Sequence, residues 1–224
     1  MKLLEVIPAP DTDPQALREF EEFADIVLGK GIIRANDTPN FIANRVGVFG
    51  MLAIMHEAEK FGLSYDLVDD LTGAKLGRAK SGTFRTADVV GLDTLGHVIR
   101  TMQDTLPDDP WHRYYAVPDW LKKLIDEGAL GQKAKRGIYR KAGKDIQVLD
   151  VVTNAYRLSD GKADEGVVEI IKNKNTGERF AALHASTHPQ AQFLWSIFRD
   201  SFHYCATHLG EIANNARDLD LAIR

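Results

Sequence analysis

Asp37-Thr38-Pro39-Asn40-Phe41-Ile42-Ala43-Asn44-Arg45 opens the stretch on which the reading of this chain turns. Pro39 is favourable in a first helical turn, and Phe41, Ile42, Val46, Phe49, Leu52 and Met55 then recur at helical spacing for about five turns. Apolar positions on more than one face predict a deeply buried helix running from Thr38 until Gly62 stops it. Beyond it, Ser64 can cap a helix through Val68 and Leu71. Thr86 to Val90 leads into a further helix capped near Asp93, and Pro118 to Glu127, ended by Gly128, makes another. The chain is expected to be mainly α.

Upstream of this stretch, Leu3, Leu4, Val6 and Ile7 read as a short strand that Pro8 and Pro10 end by removing backbone donors. Asp13 is placed as an N-cap before Pro14. Leu17, Phe20, Ala24 and Val27 follow at helical spacing up to Gly29, and Gly31 to Ala35 makes a second strand. Residues 1–36 are thus expected to be a strand, a helix and a strand with no further strands to join, the cut edge of an α/β domain.

Downstream, alternation between Ile138 and Val148 around Lys141-Ala142-Gly143-Lys144 predicts a small hairpin that closes a helical unit over 37–149. Residues 150–188 are polar, with Asp160-Gly161, Asn175 and Gly177 as turn signals, and read as a linker carrying short helical pieces. Leu194, Ile197, Phe198, Phe202, Ala206, Leu209 and Ala213 define a long amphipathic helix. Glu211 and the Asp218-Leu219-Asp220 segment after it repeat the layout of residues 41–71, where Glu57 precedes Asp66 and Asp69. Residues 189–224 are therefore expected to begin a second helical repeat, which Arg224 cuts short.

Composition narrows the function classes. The 224 residues allow one or two domains, and a formal net charge of −4 offers no basic stripe for a phosphate backbone, so nucleic acid is not an expected partner. Cys205 stands alone, the longest apolar run is too short to span a bilayer, and no secretion signal is legible, which predicts a cytoplasmic, reducing setting. His184 and His188 stand four apart beside Pro189 with no carboxylate or thiol to complete a zinc set, so no metal site is expected. His203 and His208 have no Ser or Cys arrangement of a nucleophile.

Four motifs in order carry a resemblance: Met1-Lys2-Leu3-Leu4-Glu5-Val6-Ile7-Pro8, Asp37 to Arg45, Gly91-Leu92-Asp93-Thr94, and Gly131-x-Lys133-x-x-x-Gly137-x-Tyr139. Together they resemble the 3-hydroxyacyl-CoA dehydrogenases of fatty-acid β-oxidation, from residue 1 to about residue 142 and more loosely to the end. The resemblance implies the helical C-terminal domain of that family, similar to the one in 6-phosphogluconate dehydrogenases, preceded by a strand-helix-strand remnant of the NAD-binding Rossmann domain. It implies a parent enzyme that oxidises 3-hydroxyacyl-CoA to 3-ketoacyl-CoA with NAD, as in multifunctional bacterial β-oxidation proteins. A homodimer is expected, with the apolar helix from Phe41 to Met55 in the contact.

No glycine-rich turn between a strand and a helix is present: Gly29-Lys30-Gly31 precedes a strand, and the run from Gly77 to Gly82 lacks the lysine of a phosphate loop. The chain alone is accordingly expected to bind no NAD and to be inactive. By resemblance the catalytic histidine lies upstream of Met1, and Glu5 is the carboxylate that pairs with it. Read from the strand alone, Glu5 is a solvent-facing carboxylate, and only the resemblance reverses that reading. By resemblance Asn44 is the second catalytic residue, an amide donating to substrate oxygen, against the plainer role of bonding local backbone. Asn40 replaces the family's usual glycine.

Lys133 aligns with a cofactor-binding lysine, or is a solvated lysine in the run Lys133-Ala134-Lys135-Arg136. Tyr139 and the Gly91 turn are expected to serve packing. The alternative function is a non-catalytic helical module that binds acyl-CoA or dimerises.

Overall fold

The computed structural model describes residues 3–223; Met1, Lys2 and Arg224 lie outside the described residues, as do the opening of the first motif and the expected cut at Arg224. β1 (Leu3–Val6) pairs in parallel with β2 (Gly31–Arg34), Glu5 opposite Ile33. Between them runs α1 (Pro14–Glu22), with the Asp13 side chain accepting the Gln15 N–H at 2.9 Å as the sequence predicts. The helix then widens into a π turn over Phe23–Val27 before Gly29, at φ 60, ends it. Of the expected apolar stripe only Ala24 is buried. Phe20, Phe23, Ile26, Val27 and Leu28 remain exposed, because no further strand or helix among the described residues covers that face.

α2 (Ala43–Lys60) starts five residues later than the expected Thr38. Asn40 and Phe41 adopt φ of 63 and 53, a left-handed pair that no helix can contain, and the chain enters the helix only after it. α3 (Tyr65–Thr72) follows Ser64 as expected, although the Ser64 side chain does not cap it. α4 (Phe84–Val90) and α5 (Leu92–Thr105) meet at Gly91, whose φ of 104 makes the corner. Asp93 therefore lies inside the first turn of α5 rather than before it. α6 (Asp119–Asp126) stops at Gly128 as read.

The hairpin gains a third strand. β3 (Tyr139–Ala142), β4 (Asp145–Asp150) and β5 (Ala155–Leu158) form an antiparallel meander, the last strand coming from the segment read as a linker. That segment also holds α7 (Glu165–Lys172) and α8 (Thr176–Ala185), whose caps Asp164 and Asn175 are local, and α8 packs on α9 (Pro189–Ile212). After three residues α10 (Ala216–Ala222) follows, as α3 follows α2 after four.

α9 lies antiparallel along α2: Arg45, at the start of α2, meets Glu211 near the end of α9, and Glu57 near the end of α2 meets Arg199. The buried stripe of α9 runs through Leu194, Ile197, Tyr204, His208 and Ile212, and Phe202 is 59% exposed, stacked outside on Phe198. The expected stripe drifted off the buried face at Phe202 and Ala206, where the polar-tipped Tyr204 and His208 turn inward instead. One hydrophobic core runs from Ile33 to Leu219. α9 of the same chain packs along α2.

Candidate functional site at the start of the long helix

β1 and β2 end beside the entrance of α2, and Glu5 projects from β1 to that point. Its Oε2 accepts the Ile42 N–H at 3.1 Å and its Oε1 the Ala43 N–H at 2.9 Å. These are amides at the helix entrance without helical partners, at the positive end of the helix dipole, so the position favours an anion. The half-buried carboxylate is neither a solvated strand residue nor an orphan. Each oxygen has accepted one hydrogen bond from the described residues and keeps a lone pair for another donor.

Asn44 is the next residue after Ala43. Its side chain is exposed and forms no hydrogen bond among the described residues, so the local backbone contact considered for it is not made. Asn40, in the left-handed position, buries an Nδ2 that has no partner among the described residues. The structure thus brings Glu5 to the turn that carries Asn44.

Lys133 belongs to another corner. It sits in a single 3-10 turn (Gln132–Ala134), and its Nζ lies 2.6 and 2.8 Å from the two oxygens of Asp93, at the start of α5. The ammonium holds the Asp93 carboxyl below the usual carboxylate range. Both side chains remain about half exposed, and no contact among the described residues ties Lys133 to Glu5 or Asn44.

The rest of the Gly131 to Tyr139 motif organises two buried carboxylates. Asp88 accepts the N–H groups of Ile138 and Tyr139 at 2.9 and 2.7 Å. Asp69 accepts those of Thr83, Phe84 and Arg85, together with the Tyr139 hydroxyl at 2.7 Å. Burial pushes Asp69 up to about 6 against the pull of these four donors. Tyr139, expected to serve packing, spends its hydroxyl on Asp69 and lies under the Arg85 guanidinium. His188 caps α9 by accepting the Gln190 N–H, and His184 meets the Trp195 ring edge-on.

Sequence reasoning missed a buried charged cluster beside the site. The Arg45 and Asp109 side chains are each 1% exposed and stand 3.3 Å apart, with Tyr204, His208 and Glu211 of α9 closing around the guanidinium. Arg45 lies inside the quoted motif, but its partners come from more than sixty positions away, and the approximate repeat of Glu57 in Glu211 was the sole sequence signal near them.

A family model described as "3-hydroxyacyl-CoA dehydrogenase, C-terminal domain" matches residues 41–141. The chain is 40% identical over 224 residues to the Bacillus subtilis protein named "Probable 3-hydroxyacyl-CoA dehydrogenase", covering 100% of this chain and 28% of that one. It is 47% identical over 141 residues to a Deinococcus radiodurans protein of the same name, covering 63% of this chain and 40% of that one. A crystal structure of 3-hydroxybutyryl-CoA dehydrogenase from Escherichia coli K12 shares the fold, with a TM-score of 0.65 at 16% identity over 99% of this chain and 57% of that one. The chain therefore spans less than half the length of the two curated relatives.

Proposed function

The chain belongs to the 3-hydroxyacyl-CoA dehydrogenase family, and from that premise we propose that it supplies the substrate-side helical domain for oxidation of 3-hydroxyacyl-CoA to 3-ketoacyl-CoA in fatty-acid β-oxidation. One observation supports this most: the Glu5 carboxylate is anchored at the N-terminus of α2, at the turn bearing the free amide of Asn44.

In this reading an imidazole supplied by another part of the polypeptide takes the proton of the 3-hydroxyl. Glu5, held by two backbone N–H groups, accepts the other ring N–H of that imidazole, fixes its tautomer and stabilises the imidazolium as it forms. Asn44 donates its amide hydrogen to the substrate oxygen and favours the charge that develops as that atom becomes a carbonyl. NAD would supply the hydride acceptor. The residues present do not fit a dinucleotide, since the β1–α1 connection contains Pro8 and Pro10 and no glycine. Lys133, exposed at the α4–α5 corner, is proposed to contact the cofactor from the helical side.

The proposed domain division follows: 1–36 as part of the Rossmann domain, 37–149 as the helical domain, 150–188 as a connecting segment and 189–224 as the start of a second helical repeat. Cytoplasmic location is proposed with it; no helix among the described residues is long and apolar enough to cross a membrane. The proposed homodimer must use a surface other than the α2 face that α9 covers, and light scattering that returns monomer alone at micromolar concentration contradicts it.

The rival module reading gives Glu5 the single task of capping α2. The two are separated by assaying the full-length gene product for NADH formation with a 3-hydroxyacyl-CoA. Steady turnover that depends on Glu5 supports the enzyme, and absent turnover with intact acyl-CoA binding supports the module.

A further inference from the structure

The connection from β2 to α2 is gripped on its far side by the second helical unit. Asn36 closes the end of α9, its N–H donating to the Ile212 carbonyl at 3.0 Å and its Nδ2 to the Glu211 carbonyl at 2.9 Å. In the first turn of α2, Arg45 donates from Nε to the Tyr204 hydroxyl at 3.0 Å, from Nη1 to Glu211 Oε1 at 2.6 Å and from Nη2 to Asp109 Oδ2 at 3.3 Å. Tyr115 donates to the Tyr204 oxygen at 2.9 Å. His208 stands between two carboxylates, its Nδ1 2.7 Å from Glu211 Oε2 and its Nε2 3.2 Å from Asp109 Oδ2.

A guanidinium removed from water is tolerated only where its donors are met, so Arg45 has one acceptable position. That fixes the rotation of the first turn about the helix axis. Neighbouring helical residues are about 100° apart, so with Arg45 turned inward Asn44 lies on the exposed face, while the amides of Ile42 and Ala43 leave the same turn toward Glu5. We propose that Glu211 and Tyr204 are positioning residues, through which the second helical unit holds the turn that carries Glu5's anchor and Asn44. The catalytic consequence rests on the function proposed above; the clamp is a property of this chain alone.

The test uses Glu211→Gln and Tyr204→Phe, in this chain and in the full-length gene product. Hydrogen exchange at the amides of residues 42–45 should accelerate by about tenfold in both variants, while the amides of Leu52 to Ala58 keep their parent rates. In the full-length protein turnover should fall about tenfold, with KM for the hydroxyacyl-CoA within about twofold of the parent. Arg199→Ala, which removes a contact to Glu57 at the other end of the same helix pair, should change neither quantity. Parent-like exchange at 42–45 in both variants overturns the clamp, and accelerated exchange with parent-like turnover overturns its role in the site. Accelerated exchange in a parent protein that shows no turnover upholds the clamp and overturns the dehydrogenase reading.

Discussion

The Glu5 carboxylate and the Ala43 backbone N–H meet at 2.9 Å across 38 positions of sequence, so the residue expected to steer a proton also closes a helix end. The two tasks separate on substitution. Glu5→Gln keeps one oxygen acceptor and loses the charge that answers the helix dipole, at a cost of about 1 kcal/mol in urea unfolding. Turnover of the full-length protein should fall far more, by about 100-fold with KM little changed, because the charge matters most as the imidazolium forms. Parent-like turnover with the stability loss alone would leave Glu5 as a cap and nothing else.

Asp66 and Arg157 form a two-point pair, Nη2 to Oδ1 at 2.7 Å and Nη1 to Oδ2 at 2.9 Å, with the Gly161 N–H also on Oδ2. Burial by itself would raise the Asp66 carboxyl. The Arg157 guanidinium, the Gly161 N–H and the Ser64 hydroxyl together outweigh it and hold the group well below the usual carboxylate range. A carboxyl depressed in the folded state contributes stability that is complete above its unfolded value of about 4 and is lost as pH falls toward the folded one. Melting temperature should therefore drop on acidification below about pH 4. Asp66→Asn should cost about 1 to 2 kcal/mol at neutral pH by removing the charge that Arg157 and the Gly161 N–H face, Arg157 being left to Asp160 and Asp150, and should flatten the acid limb. An unchanged acid limb in scanning calorimetry would remove this pair as its cause.

What was legible in the sequence was what is punctuated locally. Asp13 before Pro14, Gly62 after Lys60 and Gly128 after α6 mark helix ends through backbone chemistry that acts within a few residues. The start of α2 differs from the reading because Pro39 suits a first turn, whereas a left-handed Asn40–Phe41 pair delays the helix to the point where Glu5 arrives from a separate strand. The Glu5 and Asn44 turn was legible through family resemblance alone. The Arg45 cluster was not legible, because its acceptors on α9 lie 159 and 166 positions away and no local pattern announces a buried ion pair.

Lys133 and Asp93 are paired but about half exposed, which makes their bond worth little to the fold. Lys133→Met should accordingly leave the melting temperature of the chain nearly unchanged. If its ammonium meets the cofactor in the full-length protein, KM for NAD should rise about tenfold while turnover at saturating NAD is kept. A parent-like KM for NAD would return Lys133 to the solvated surface.

Gly137 packs where no side chain fits. A Cβ there would stand 2.5 Å from the Gly131 Cα and 2.8 Å from the Asp88 Cγ, against the carboxylate that accepts the Ile138 and Tyr139 amides. Gly137→Ala must either displace Asp88, leaving those two N–H groups without their acceptor, or push apart the Gly131 and Gly137 backbones; either route should cost about 3 kcal/mol or more. Gly143 provides the contrast, with φ 62 in the β3–β4 turn and open space around it. Gly143→Ala carries the left-handed penalty alone, about 1 kcal/mol. Urea midpoints should place Gly137→Ala well below Gly143→Ala. The reverse order would mean that Asp88 yields to the methyl group without loss, and that the glycine at 137 reflects something other than this close approach.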